Sequence, residues 1–276
     1  MKRVYSGLLL SAALSIAACS TNPSTGRDQL LLVSEDEVSQ MGVQATPELI
    51  QEYGGEIESA QVRQYVNEVG RKLAQQVEPE YKDLQWQFHV LDSDVINAFA
   101  LPPGRVFVSR GLLEQLPNEA ALAAVLGHEM GHITARHVSE RISQQMLLEG
   151  IAQGASVAVS GSSGAEQLVP LVVGLGGQGY LLKFSRDQES EADHQGLKYM
   201  VKSGYSPQGA AQVMRVLIRA NQGGKQLEML STHPDPEQRL RDIQEAISTE
   251  FANTKGNPQY GLFPERYRQK MLAQLR

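Results

Sequence analysis

The chain has 276 residues, a formal net charge of −6 and a single cysteine. This length is ample for the core of one enzyme domain. The acidic balance, without any basic block, argues against a nucleic-acid partner. A single cysteine excludes an intramolecular disulfide.

Residues 1–18 have the pattern of a short export signal. Lys2 and Arg3 supply the positive start, and the apolar run that follows is too short to span a membrane comfortably. The run ends in Ile-Ala-Ala-Cys, which resembles the lipobox of bacterial lipoproteins and implies lipidation of Cys19. An ordinary secretory signal that contains a cysteine is the alternative. Residues 19–28 are predicted to be a flexible lipidated tether, with the fold beginning near Gln29.

Two helices and then three strands are predicted next. Apolar residues at three- and four-residue steps indicate helices at 35–53 and 59–77. An alternation of apolar and polar residues indicates a strand at 84–91. Residues 95–101, which end in a turn, and residues 105–110 are predicted to be the next two strands. Asn97, Ala98 and Phe99 are the candidate edge along which an extended substrate backbone would lie. Ordinary core-strand residues would show the same pattern.

Asn118 predicts the start of a helix that carries His128-Glu129-x-x-His132. Positions i and i+4 of a helix project from one face, so the two imidazoles can bind one zinc ion. Glu129 lies beside them and is the candidate general base toward a water molecule at the metal. On a continuous helix His137 would fall about 140° away, and we expect it not to be the third ligand.

A second helix is predicted to begin at Ser185, where the sequence has a capping-box pattern. Glu189 and Asp193 are again four residues apart. Glu189 is the candidate third metal ligand, and Asp193 would accept the N–H of a ligating histidine. Two solvated acids on an exposed helix would look the same. Glu191, on the opposite side of the helix, is predicted to be such a solvated acid.

These two motifs, H-E-x-x-H at 128–132 and S-R-x-x-E-x-E-A-D at 185–193, together resemble the gluzincin family of HtpX-like, Oma-like and CAAX prenyl endopeptidases. The segment 97–109 is similar to a strand segment of that family. With the lipobox, the resemblance implies the periplasmic lipoprotein (LoiP/BepA-like) branch. It also implies an outer membrane lipoprotein that faces the periplasm of a Gram-negative bacterium.

Residues 231–239 match a further motif of the family. Peptide hydrolysis generates an oxyanion that needs a donor opposite the metal. His233 and Arg239, the latter on a helix that begins at Pro236, are the candidate catalytic donors. His233 could instead occupy the open zinc position and hold the enzyme latent, or it could simply cap a loop.

We therefore predict an α+β, mainly helical zincin domain at 29–250, with a small β-sheet next to the H-E-x-x-H helix and a C-terminal extension at 251–276. Residues 150–179, rich in glycine, are predicted to form a flap or a loosely packed helical pair. The predicted function is zinc-dependent cleavage of misfolded or misassembled envelope proteins, with one Zn²⁺ per chain. The alternatives are a lipoprotein chaperone or scaffold for outer-membrane protein assembly, and a zinc hydrolase of non-peptide substrates.

Overall fold

The computed structural model describes residues 19–152, 183–223 and 227–275. Helices dominate these residues, and a small sheet lies beside the central helix, which confirms the predicted α+β class. The strands are β1 (Cys19–Thr21), β2 (Asp28–Leu30), β3 (Gln87–Leu91), β4 (Ala98–Leu101) and β5 (Arg105–Ser109). The helices are α1 (Glu35–Glu52), α2 (Ala60–Ala74), α3 (Arg110–Leu113), α4 (Glu119–Thr134), α5 (His137–Ala152), α6 (Arg186–Lys202), α7 (Gln208–Gln222), α8 (Met229–Thr232), α9 (Pro236–Ser248) and α10 (Pro264–Lys270).

The three-stranded sheet has the order β3-β5-β4, with β3 parallel and β4 antiparallel to β5. Alternate residues of the strands face opposite sides. Phe88 and Val106 join the large core with α2 and α4, whereas Phe99 and Phe107 join a smaller core with α1. The sheet is therefore covered by helices on both faces, and β4 forms one of its edges.

Helix α4 runs through the centre of the molecule. Asn118 caps it as predicted, because its side chain accepts a hydrogen bond from the backbone N–H of Ala121 at 3.0 Å. All residues of α4 are buried. A helix that is buried on every side holds its side chains rigidly, as a metal site requires.

The segment predicted to be a flexible tether is folded instead. β1 and β2 pair as an antiparallel hairpin. The Asn22 side chain donates to the carbonyl of Thr134 at 3.0 Å, and that of Gln29 donates to the carbonyl of Ala135 at 2.7 Å. Because the last carbonyls of a helix have no partner within the helix, this hairpin supplies the missing donors at the end of α4. The prediction of a flexible tether failed because polar residues can cap the end of a helix as well as form a solvated linker.

The C-terminal extension packs on the body of the domain. Tyr267 is buried and donates its hydroxyl to the carbonyl of Leu113 at 2.7 Å. Arg266 pairs with Glu119 at the start of α4. The helix in this extension is Pro264–Lys270.

Two predictions concern residues that the structure does not describe. The signal segment 1–18 and most of the glycine-rich segment 150–179 lie outside the described residues. Within the described residues, no helix combines the length and the apolar character needed to cross a membrane.

Candidate metal centre

Two helices that approach very closely build the centre. Gly127 and Gly131 of α4 face Gly196 and Ala192 of α6. A Cβ atom added to Gly196 would lie 2.9 Å from the backbone nitrogen of His128. Glycine is therefore needed for backbone contact at this crossing. The close approach brings the acidic residues of α6 next to the histidines of α4.

Four side chains converge at this crossing: His128, His132, Glu189 and His233. One potential ligand atom from each lies within 4.8 Å of all the others, and all four residues are buried. The Nε2 atoms of His128 and His132 are 3.0 Å apart. The carboxylate oxygens of Glu189 lie 3.5 Å from Nε2 of His128 and 3.4 Å from Nε2 of His132. The pair at i and i+4 and the distant carboxylate thus meet at one point.

These separations fit a tetrahedral metal ion. Ligands about 2.1 Å from zinc are roughly 3.4 Å from one another in a tetrahedron. The three separations between His128, His132 and Glu189, of 3.0, 3.4 and 3.5 Å, are close to that value; the distance to His132 is measured from Oε1 of Glu189 and the distance to His128 from Oε2. Imidazole and carboxylate are also the ligand types that suit zinc. The residues present therefore fit the ion that the motif implies.

A second layer of charged groups holds these ligands. Asp193 Oδ1 lies 2.9 Å from Nδ1 of His128, on the ring edge away from the cluster. Arg239 donates from Nη2 and Nε to the two oxygens of Asp193, at 2.7 and 2.8 Å. Its Nη1 is 2.7 Å from Oε2 of Glu189. The guanidinium predicted to be an oxyanion donor is thus engaged with the two carboxylates of α6.

Glu129 adjoins the cluster without being part of it. Its side chain is 1% exposed, and Oε1 has no hydrogen-bond partner. The nearest basic group is Nε2 of His233, at 3.7 Å. A buried carboxylate oxygen without a partner beside a metal site is free to contact a water molecule there.

Burial and charge act in opposite directions on the pKa values of the site. Burial raises the pKa of Glu129 above its usual value. Burial also acts to raise the pKa of Glu189, but the charges of His233 and Arg239 outweigh it and hold that pKa well below its usual value. For His128, burial and Arg239 act to lower the pKa, while contacts with Asp193 and Glu189 raise it to about 9. A metal ion must therefore displace a proton from His128, so binding weakens as the pH falls.

His137 is not among the four clustered residues, but the geometric reason differs from the predicted one. The chain does not continue as one helix, because α4 ends at Thr134 and Arg136 has a left-handed φ of 56°. α5 then begins at His137 and turns its ring back toward the site. The Nδ1 atoms of His137 and His132 are 2.9 Å apart. No sequence signal marks this reversal, since left-handed backbone is uncommon for arginine.

The prediction that Glu191 is a solvated acid is wrong. Its Oε2 lies 2.9 Å from Nε2 of His137 and 3.1 Å from Arg27. Arg27 of the N-terminal hairpin pairs with Glu191, a contact that the helix periodicity of α6 alone could not reveal. Phe184, which was not singled out either, stacks on His132 with ring centroids 3.9 Å apart.

The predicted substrate segment lies at the edge of the sheet. Ala98 and Phe99 belong to β4, and Asn97 directly precedes it. The outer side of β4 has no strand partner in the part of the chain that the structure describes, apart from a single bridge between Ile96 and Leu227. The side chains of Asn97, Ala98 and Phe99 are buried. The backbone N–H and C=O of Asn97 already bond Ser109, and the alternation of the antiparallel ladder directs those of Phe99 toward β5 as well. Of the three residues, only Ala98 directs its backbone groups toward the open edge, where an extended peptide would pair.

Comparisons with known proteins agree with this geometry. The model of Peptidase family M48 matches residues 60–247. Mitochondrial metalloendopeptidase OMA1 of Schizosaccharomyces pombe is 35% identical over 228 residues, which are 81% of this chain and 65% of that protein. The beta-barrel assembly-enhancing protease of Escherichia coli is 31% identical over 185 residues, 65% of this chain and 37% of that protein. Human metalloendopeptidase OMA1 is 26% identical over 251 residues, 87% of this chain and 48% of that protein. The chain thus spans between 37% and 65% of the length of these relatives.

Proposed function

Because the chain belongs to peptidase family M48, as the resemblance of its motifs implied, we propose that it is a zinc-dependent endopeptidase. His128, His132 and Glu189 would hold the zinc ion. The observation that carries the proposal is the convergence of two imidazole nitrogens and one carboxylate at near-tetrahedral separations in a buried site. When bound, zinc supplies a Lewis acid that polarises the scissile carbonyl and acidifies a water molecule.

Glu129 is the proposed general base. It takes a proton from the attacking water and passes it to the leaving amine. The raised pKa of Glu129 is closer to neutral pH than the usual pKa of a glutamate. A base with such a pKa can both accept a proton and return it. The free Oε1 atom is available for this transfer.

Asp193 and Arg239 position the ligands in this proposal. Asp193 accepts from Nδ1 of His128 and leaves the Nε2 lone pair directed into the cluster. Arg239 neutralises Asp193 and Glu189. Its engagement with both carboxylates supports a positioning role over the oxyanion role expected from the sequence. His233 then remains as the candidate oxyanion donor or as the occupant of the fourth metal position.

The proposed substrates are misfolded or misassembled polypeptides of the bacterial cell envelope. An extended substrate backbone would pair with β4 at Asn97–Phe99. The lipobox supports an outer membrane lipoprotein that is anchored through Cys19 and faces the periplasm. The similarity to the beta-barrel assembly-enhancing protease of E. coli supports contact with outer-membrane assembly proteins.

Replacing Glu129 with Gln tests the mechanism. Gln keeps the shape of the side chain but cannot accept the proton, so we expect zinc content to be unchanged and cleavage of an unfolded protein such as casein to fall at least about 100-fold. The measurement is metal analysis with a digestion assay on pure protein, with and without a chelator. Undiminished cleavage by zinc-loaded Glu129→Gln would refute the assignment.

The same variant distinguishes proteolysis from the rival chaperone or scaffold function. A chaperone or scaffold needs the folded protein but not turnover. If Glu129→Gln corrects the defect of a deletion strain, the assembly role does not require proteolysis. If only the wild-type protein corrects it, proteolysis is the function that the cell uses.

A further inference from the structure

His132 has a neighbour on its outer edge that the metal motif does not include. His137 is fully buried, and its Nδ1 atom lies 2.9 Å from Nδ1 of His132. Two imidazole nitrogens at this distance share one proton, because one must donate and the other must accept. Which of the two donates decides where His132 keeps its own proton.

The other nitrogen of His137 settles this choice. Its Nε2 atom lies 2.9 Å from Oε2 of Glu191. Arg27 donates to both oxygens of Glu191, from Nε at 3.2 Å and from Nη2 at 3.1 Å. A carboxylate held in its charged form can only accept, so the proton of His137 lies on Nε2. Its Nδ1 then carries a lone pair and accepts from His132.

We propose that Arg27, Glu191 and His137 form a positioning relay that keeps the proton of His132 on Nδ1 and thereby leaves its Nε2 free to bind the metal. The proposal rests on the proposed role of His132 as a metal ligand. An imidazole bound through Nε2 must carry its proton on Nδ1, and the relay supplies the acceptor for that proton.

The two histidines of the motif are therefore held by different means. Asp193 contacts Nδ1 of His128 directly, at 2.9 Å. Glu191 acts on His132 only through the interposed ring of His137. Arg27, at the outer end of the relay, lies outside the matched range 60–247. It precedes β2 in the N-terminal hairpin. The segment that follows the predicted lipid anchor thus becomes part of the metal site.

A purely structural role would give different results. Arg27 also pairs with Glu140 at 2.6 Å, so these groups fasten the hairpin to α5 and α6 in any case. A fastening role predicts lower stability in the variants, without any change in the proton position of His132. The tautomer of His132 is therefore the deciding measurement.

The first experiment uses ¹⁵N-histidine-labelled, metal-free, full-length protein. Long-range ¹H–¹⁵N spectra should show His132 with its proton on Nδ1 in the wild type. In His137→Phe, which removes the acceptor but keeps a ring, the signal should shift to a mixture or to the Nε2–H form. Glu191→Gln should also give a mixture, because an amide can donate to His137 as well as accept from it.

The matched control is His89→Phe. His89 forms a similar pair with Glu56, with Nδ1 2.6 Å from Oε1, in the same protein but outside the metal cluster. This variant should leave His132 unchanged. The relay is overturned if wild-type His132 carries its proton on Nε2, or if both His137→Phe and Glu191→Gln leave the Nδ1–H form intact.

The second experiment measures zinc affinity by competition with a chelator. Loss of such supporting partners typically weakens metal binding about 10- to 100-fold, and we expect this for His137→Phe. Arg27→Gln, which leaves the ring in place, should show a smaller loss, and His89→Phe none. Unchanged affinity in all relay variants would overturn the relay. Absence of zinc binding in the wild type would instead overturn the proposed function, while the tautomer measurement still decides the relay.

Discussion

Glu129 and Glu189 are both almost fully buried, yet their surroundings shift their pKa values in opposite directions. Burial dominates at Glu129, whose pKa is raised. At Glu189 the charges of His233 and Arg239 overcome burial, and the pKa is lowered. A carboxylate that stays charged suits a metal ligand, while one with higher proton affinity suits a general base. Pairs of carboxyl groups separated in this way commonly divide the two roles.

His233 offers a prediction at the same scale. Its Nδ1 atom lies 2.9 Å from Glu189 and 3.3 Å from Nε2 of His128, within the ligand cluster. In the proposed metal site it would compete with water for the fourth position. We expect His233→Ala to raise kcat/KM for peptide cleavage several-fold, with zinc content unchanged. A fall in kcat at constant zinc content would instead show that His233 stabilises the oxyanion.

His194→Ala is the matched control for that variant. His194 is exposed, and it pairs with Glu250 rather than with a residue of the cluster. The same loss of an imidazole there should leave kcat/KM unchanged. A parallel rise in both variants would point to a general loosening of the protein.

At the scale of elements, the crossing of α4 and α6 decides whether the ligands meet. Gly127, Gly131 and Gly196 let the two backbones touch. Glu189 and Asp193 reach the histidines because three of the facing residues at this crossing lack a Cβ atom. Small residues at positions far apart in sequence therefore act together, although no single glycine has a metal-binding role.

Gly196→Ala tests this crossing. The added Cβ would lie 2.9 Å from the backbone nitrogen of His128, so α4 and α6 must move apart. We expect a loss of about 1–3 kcal/mol in the free energy of unfolding and weaker zinc binding. Urea denaturation and chelator competition measure the two effects. Gly223→Ala, whose Cβ would meet its nearest atom at an ordinary 3.4 Å, is the control. Equal behaviour of the two variants would contradict the role of the crossing.

Glu78 links the N-terminal hairpin to α6 and gives a pH-dependent prediction. It accepts hydrogen bonds from Ser24 in the hairpin and from Tyr199 of α6, at 2.9 and 2.7 Å. Burial acts to raise its pKa, but these bonds and the charge of Lys198 outweigh burial and lower it. A carboxyl group with a lowered pKa stabilises the fold above its unfolded pKa, and this stabilisation is lost as the pH falls through the folded pKa.

We expect Glu78→Gln to reduce the free energy of unfolding by about 1 kcal/mol at pH 7. The difference in the free energy of unfolding between Glu78→Gln and the wild type should shrink as the pH falls below about 4.5, because the wild-type carboxyl then also becomes protonated. Urea denaturation of both metal-free proteins across this pH range measures the difference. A difference that is constant with pH would mean that charge at Glu78 does not contribute.

At the scale of the whole molecule, the first and the last of the described segments both fold onto the helix that carries the motif. The N-terminal hairpin supplies donors to the end of α4 through Asn22 and Gln29. The C-terminal extension meets the start of α4, where Arg266, Tyr65 and Tyr205 all contact the buried carboxylate of Glu119. The body of the enzyme therefore includes segments on both sides of the matched range 60–247.

The predicted anchor is testable at this scale. Cys19→Ala removes the thiol that would carry the lipid, so we expect the protein to move from the membrane fraction to the soluble periplasmic fraction. Cell fractionation with immunoblotting measures the change. Glu129→Gln is the control, because it alters catalysis without touching the anchor. Retention of Cys19→Ala in the membrane fraction would refute lipid anchoring.

The sequence by itself determined the features that depend on local periodicity. The spacing of His128 and His132, and of Glu189 and Asp193, places each pair on one helical face wherever the helix lies. The helix starts at Asn118 and Ser185 were also predictable, because the capping side chain and its backbone partner are three residues apart. Alternation of apolar and polar residues likewise identified β3.

Only the tertiary structure decided which residues support the ligands. The reversal at Arg136 turns His137 toward His132, and Arg27 reaches Glu191 across 164 positions of the chain. Glu191 resembled a solvated acid because helix periodicity identifies a face but not the partner that covers it. Contacts between distant segments depend on how those segments dock, and neither spacing nor composition encodes that geometry.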